Sequence, residues 1–269
     1  DQVPPVAVCD EWTQVALGID GTILVNANTF DDGSYDNCNA VEFKARRMDT
    51  NTCDPNTHFD DQVKFCCEDL GDTLTVIFRV YDINVPAGAL LNADAEPENH
   101  YNDCMVQVLV EDKLKPICVA PANVTVTCEL LDPSLWAYDA ATATDNNTCC
   151  TPTITGTVNY SQFDSLCNKG TITRNWTAKD CANNTSTCSQ KIVVTPNQNY
   201  YIKFPADKAV SVCDGTTTFG EPTFFGEDCE LLATSFVDEI FTVVPDACYK
   251  IERTWTVINW CTYTPNATC

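Results

Sequence analysis

Histidine and methionine are nearly absent, two of each in 269 residues, and basic residues are few: 15 Lys and Arg stand against 38 Asp and Glu, a formal net charge of -23. Binding to DNA, RNA or an anionic membrane needs basic surface, so this charge balance excludes those partners. The lack of histidine narrows catalysis too. His58 and His100 lie in polar inserts, HFDD and ENHYND, and no serine sits in a Gly-x-Ser-x-Gly turn. No Cys-x2-Cys pair offers a zinc spacing, and no pair of carboxylates of the kind that cleaves glycosides stands out from the other acids. No apolar run approaches the roughly 18 residues of a membrane-spanning helix, and no basic-then-apolar leader opens the sequence. The expectation is a non-enzymatic chain, either a mature secreted piece or a segment of something longer.

What is abundant is cysteine, 18 residues. An even number at this density points to disulfides and an oxidising compartment. The apolar fraction of 44% supplies enough surface to bury that the chain folds despite its charge.

The chain repeats itself. ERTWTVINWCTYTPNATC (252–269) repeats RNWTAKDCANNTSTC (174–188), and TLTVIFRVYD (73–82) is a weaker copy in which Phe78 takes the place of Trp176 and Trp255. The starts of the units recur as PPVAVCDEWTQVAL (4–17), KPICVAPANVTVTCELL (115–131) and IKFPADKAVSVCDG (202–215). Acidic turns ending in cysteine mark their middles: DDGSYDNC (31–38), TDNNTCC (144–150) and GEDC (226–229). Three units follow, 1–111, 112–195 and 196–269.

Within each unit apolar residues alternate at the period of a half-buried strand. Leu74, Val76, Phe78 and Val80 form one face in the first unit, as do Ile172, Arg174, Trp176 and Ala178 in the second and Ile251, Arg253, Trp255 and Val257 in the third. Thr, Val and Ile dominate, Asp, Asn, Gly and Pro sit at the joins, and no amphipathic helix is apparent. The predicted fold is all-β: three tandem disulfide-stapled β-sandwich modules joined by short linkers into an extended rod.

Positions present or absent together suggest bridges. Cys128 and Cys181 both occur in unit two, Cys213 and Cys261 in unit three, and unit one lacks both, so the expected bonds are Cys128–Cys181 and Cys213–Cys261. First and last positions pair as Cys9–Cys104 and Cys118–Cys188. The acidic-turn cysteine pairs with the one before the tryptophan strand, giving Cys229–Cys248 and Cys167 with Cys149 or Cys150. Cys38 and Cys53 share Cys66 and Cys67, which leaves Cys269 and one of the adjacent pair, Cys150, unpaired or bonded to each other, to another chain or to further sequence of a longer protein. Unit three lacks the closing strand that follows Cys104 and Cys188, so the expectation is a longer protein, or a strand added by a neighbour.

The run of KPICVAPANVTVTC, TATDNNTCC and GTITRNWTAKDCANNTSTC with a closing strand resembles the hyaline-repeat (HYR-like) modules strung along large Bacteroidetes surface proteins exported by type IX secretion. Unit one, with DDGSYDNC, FKARRMD and FCCEDLGDTLTVIFRVYD, resembles a companion module of such repeats. The resemblance implies immunoglobulin-like sandwiches, a cell-surface or filament role, and no catalytic residues. It also implies O-glycans on Thr73 and Ser165, which stand in Asp-Thr-Leu and Asp-Ser-Leu triplets. Asn-x-Ser/Thr triplets at Asn123, Asn146, Asn159, Asn175, Asn183, Asn184 and Asn266 are N-glycan acceptor motifs in a secreted protein, and also what a Thr- and Asn-rich β-protein produces by chance.

Calcium is the one cofactor the composition suggests. Asp31, Asp32, Asp36 and Asn37 in the first acidic turn, Asp145, Asn146 and Asn147 in the second, and Glu111 and Asp112 at the first junction supply the oxygen ligands this cation takes. Tight turns want the same residues. The functional expectation is a structural or adhesive surface protein that associates with itself or continues into further repeats and carries glycans; the alternative is a carbohydrate-binding or accessory region of a secreted enzyme. An exposed aromatic platform would favour the alternative, and buried Trp176 and Trp255 the first.

Overall fold

The computed structural model describes residues 3–38, 40–82, 100–210, 218–227, 229–242, 245 and 248–263. Its regular elements are strands and three single-turn 3-10 helices. In chain order the strands are β1 (Trp12–Ala16), β2 (Thr22–Asn26), β3 (Glu42–Arg47), β4 (Gln62–Cys66), β5 (Thr73–Tyr81), β6 (Tyr101–Glu111), β7 (Ile117–Val119) and β8 (Val124–Thr127). There follow β9 (Thr142–Thr144), β10 (Thr153–Asp164), β11 (Lys169–Lys179), β12 (Thr185–Thr195), β13 (Tyr201–Lys203), β14 (Thr223–Phe225), β15 (Leu232–Phe241) and β16 (Lys250–Asn259).

The first repeat forms a four-stranded sheet, β1-β6-β5-β3, and a ribbon of β2 with β4. Alternation does the work: Val76, Phe78 and Val80 of β5 and Val106, Val108 and Val110 of β6 are fully buried, and they share one core with Val25 of β2 and Val63 and Phe65 of β4. β1 runs parallel to β6, Trp12 opposite Gln107, whereas β3 and β5 are antiparallel, Ala45 opposite Phe78.

The second repeat builds the sheet β10-β11-β12-β8 by the same plan, with β8 parallel to β12. Trp176 is buried on the predicted face, with Ile172 and Ala178. Arg174 shares that face because its guanidinium lies 4.7 Å from the Trp176 ring and donates to Tyr138 O, Asp139 O and the side-chain oxygen of buried Gln190. The third repeat contributes the two-stranded sheets β13-β14 and β15-β16. There Trp255 is only half-buried, against expectation, with Phe236 edge-on to its ring and the Arg253 guanidinium 5.5 Å from it. Closed sandwiches are therefore not what every repeat shows: the described residues form several small sheets in series.

By contact density the chain divides into two compact units whose limits differ from the repeats. One comprises Asp1–Val119, Thr142–Thr155 and Thr177–Thr187, the other Ala120–Ala141, Gly156–Trp176 and Cys188–Cys269.

Disulfides explain part of this division. Cys9–Cys104 and Cys53–Cys66 lie inside the first repeat. Cys67–Cys149 ties the first repeat to the second, and Cys150 bonds Cys181 rather than standing unpaired. Cys128–Cys229 and Cys167–Cys261 tie the second repeat to the third, in place of the expected Cys128–Cys181, Cys229–Cys248, Cys213–Cys261 and a bond from Cys167 to the adjacent pair. The reason is strand geometry. Cys128 follows β8, whose last residue pairs with Thr195 at the far end of β12, and Cys181 precedes the start of that same strand. Eleven residues at roughly 3.3 Å each keep the two thiols several times farther apart than the ~7 Å Cα separation a disulfide permits. Cys118, Cys188 and Cys248 are also disulfide-bonded. Cys38, expected to share Cys66 or Cys67, is an exposed free thiol, and Cys213 and Cys269 fall outside the described residues.

Candidate metal centre

Sequence suggested the first acidic turn as a cation site, but two of its carboxylates hold the turn together. Asp31 accepts the Ser34 amide at 2.8 Å and Asp36 the Cys38 amide at 2.8 Å, and Asp31, Asp32 and Asp36 belong to no metal-sized cluster among the described residues. A cluster of Cys53, Cys66 and Asp69 is likewise committed: its cysteines form a disulfide, and buried Asp69 grips Arg47 through two hydrogen bonds of 2.9 and 2.7 Å.

Asp145, from the second acidic turn, is different. One oxygen each of Asp112, Asp145 and Asp180 lies within 4.8 Å of the others, all within the first compact unit. Each comes from the mouth of a loop. Asp112 follows β6, Asp145 follows β9 and Asp180 follows β11. Two are almost sealed, Asp112 at 6% and Asp180 at 5% exposure.

Only part of their oxygen capacity is used. Asp180 accepts the Asn184 amide at 2.7 Å and its side-chain NH2 at 2.9 Å, a turn closed by Asn183 in the left-handed region, φ 72°. That NH2 also reaches Asp112 O, and Asp112 Oδ1 accepts the Leu114 amide at 3.0 Å. Asp112 Oδ2 and Asn146 Oδ1 are buried without a partner, and the two buried oxygens of Asp145 have only the backbone amides of Asn146 and Asn147 beside them, outside good hydrogen-bond geometry. Among the described residues no Lys, Arg or His forms an ion pair with the three acids.

Three carboxylates crowded together and shielded from water repel one another. Burial, then the charges of Asp112 and Asp180, push the Asp145 carboxyl above its usual range. A carboxyl whose folded pKa lies above its unfolded one weakens the fold at neutral pH, and that penalty is relieved as pH falls through the raised value. In cation-free buffer, thermal melts from pH 7 down to 4.5 should therefore show the wild type gaining on Asp145→Asn as acidity rises; parallel curves would contradict this.

Beside the cage a cleft of about 500 Å³ is lined by Glu111 and Asp112 and by Cys67, Cys149, Cys150 and Cys181 of the two adjoining disulfides. The metal-sized grouping was half visible in sequence: Asp112 and Asp145 were singled out, Asp180 was not. Thr73 and Ser165, the expected O-glycan positions, are both exposed.

Exposed aromatic side chains include one stacked pair, Tyr201 with Phe225, whose rings lie 4.7 Å apart at 8°. Trp136 is 89% exposed, and Trp260 and Tyr263 are both open but meet edge to face at 73°, which is not the flat surface a sugar ring stacks on.

No protein-family model matches the chain, and no curated protein matches it. Among solved structures it is similar to extracellular cadherin domains 1–4 of protocadherin gamma B7, at 11% identity over 93% of this chain and 74% of that one, with a TM-score of 0.30. It is similar also to the first two extracellular cadherin domains of human protocadherin-24, at 14% identity over 72% of this chain and 98% of that one, TM-score 0.29. A third is the M60 catalytic domain with two CBM51 domains from Clostridium perfringens ZmpB, at 13% identity over 82% of this chain and 27% of that one, TM-score 0.22. Superpositions this loose transfer neither a fold nor a function.

Proposed function

We propose that this chain is a structural or adhesive segment of an extracellular surface protein, a disulfide-stapled series of immunoglobulin-like repeats that works by forming or presenting a fibre. Three modules, 1–111, 112–195 and 196–269, are the repeating parts. The observation that carries the reading is the placement of its bonds: Cys67–Cys149, Cys128–Cys229 and Cys167–Cys261 join each repeat to the next. Such bonds belong to an oxidising compartment, and they limit hinge motion between neighbours, which a load-bearing or presenting element needs and a tethered enzyme module does not. The repeat motifs' resemblance to hyaline-repeat modules of Bacteroidetes surface proteins exported by type IX secretion supports the same reading. So do the acidic, mutually repelling surface and the accessible Thr73 and Ser165. Self-association or continuation into further repeats is the partnership this implies, and calcium is the cation its oxygen donors suit.

The runner-up, a carbohydrate-binding region of a secreted enzyme, rests on exposed Trp136. Immunogold electron microscopy of native cell-surface material tests between them. Label following regular fibres or a surface coat is the expected result. Label confined to a soluble enzyme, with glycan binding lost in Trp136→Ala, would overturn the proposal.

A further inference from the structure

We propose that Asp112, Asp145 and Asp180 form a calcium lock, a site that is built but electrostatically unbalanced until the ion binds, and that closes three separate loop mouths on one another. Carboxylates from three chain segments converge within 4.8 Å, and Asp112, nine-tenths buried, keeps one carboxylate oxygen, Oδ2, without a hydrogen-bond partner. The two buried oxygens of Asp145 have only the adjacent Asn146 and Asn147 amides beside them, and Asn146 Oδ1 has no partner. Buried acceptors left unpaired are costly, and buried like charges more so. A cation removes both costs at once.

The donors are all oxygen, which selects a hard cation over zinc or copper. Loop-borne carboxylates and an amide oxygen at unequal reach suit the larger, geometrically tolerant calcium better than magnesium, which holds its waters and demands a regular octahedron. The protein has fixed the positions in advance: Asp180 is held by Asn184, Asn184 also holds Asp112 O, and Asn146 Nδ2 donates to Gly18 O at 3.1 Å. Gly21, at φ +72°, lets the 18–22 loop approach so closely that a Cβ there would stand 2.5 Å from Asn146 O. Calcium would thus clamp the start of the second repeat to the loops that carry Asp145 and Asp180, on the same corner as the Cys67–Cys149 and Cys150–Cys181 bonds. This inference does not depend on what the repeats adhere to.

The test uses the full chain, stripped with EDTA and dialysed, titrated calorimetrically with CaCl2 and separately with MgCl2. Expected is uptake at one site, with calcium favoured at least tenfold over magnesium and a calcium-dependent rise in melting temperature. Asp145→Asn and Asp180→Asn should weaken that uptake at least tenfold and abolish the rise, whereas Asp31→Asn, in the first acidic turn, leaves both unchanged. A merely structural Asp145 would lower the metal-free melting temperature when replaced; the lock predicts that metal-free Asp145→Asn melts at or above wild type. No calcium uptake by the wild type, uptake indifferent to both cage substitutions, or a metal-free Asp145→Asn chain that melts lower would each overturn the proposal.

Discussion

Asp69→Ala lowers the melting temperature of the first unit by on the order of 10 °C, the effect of losing about 3–5 kcal/mol when one partner of a buried ion pair is removed. Arg47 and Asp69 are 3% and 2% exposed, so the guanidinium left behind cannot recover water. Asp69 also accepts from the Cys66 amide and the Asn51 side chain, and so fixes the turn that presents Cys66 and Cys67 to their different partners. Calorimetry of the single variant and of the Arg47→Met/Asp69→Leu pair separates charge from packing: the double variant should recover most of the loss. As a control, Glu252→Ala, which breaks an exposed pair with Lys250 at 3.5 Å, should change stability by less than about 1 kcal/mol.

Removing Cys128–Cys229 with serines at both positions should cost about 2–4 kcal/mol, read as a lower urea midpoint for the second unit. Both half-cystines lie in that unit's core, with Ile172, Ile192 and Val194, so the loss is one of packing as well as of chain restraint. The same substitutions should make the segment from 230 onward more sensitive to protease while the first unit's melting is unchanged. An unshifted midpoint would mean that the bond joins parts already held together by other contacts.

Strand faces were legible because they are local. Val76, Phe78 and Val80, or Ile172, Trp176 and Ala178, declare themselves by a period of two, and they are buried as that period requires. The repeats were legible as well, since sequence can be laid against sequence. What failed to show was anything decided by which distant segment lies alongside. Nothing local in FKARR says that Lys44 and Arg47 are 1% and 3% exposed; Asp61 and Asp69, well downstream, supply their counter-charges. Co-occurrence of Cys128 with Cys181 suggested a bond that an eleven-residue strand keeps apart; Cys128 instead meets Cys229 of the third repeat, and Cys181 meets Cys150 of its own.

The acidic cage shows the same division. Asp112 was visible at the repeat junction and Asp145 in its turn, but nothing local says that they meet. Asp180 carried a signal that went unused: it closes the tryptophan strand as Asp82 closes its counterpart. Asp82 is buried against His100, at 3.0 Å, so a buried acid at this position was there to be read from the alignment of repeats. In the second repeat no histidine answers it, and the cage takes its place.

The central claim is that consecutive repeats are bonded to each other. The most direct measurement is a disulfide map of the native, non-reduced chain by peptide mass spectrometry, with Cys149 and Cys150 distinguished by partial reduction and alkylation. Peptides linking Cys67 to Cys149, Cys150 to Cys181, Cys128 to Cys229 and Cys167 to Cys261 are the predicted result. Bonds confined within repeats, Cys128 to Cys181 and Cys229 to Cys248, would contradict it.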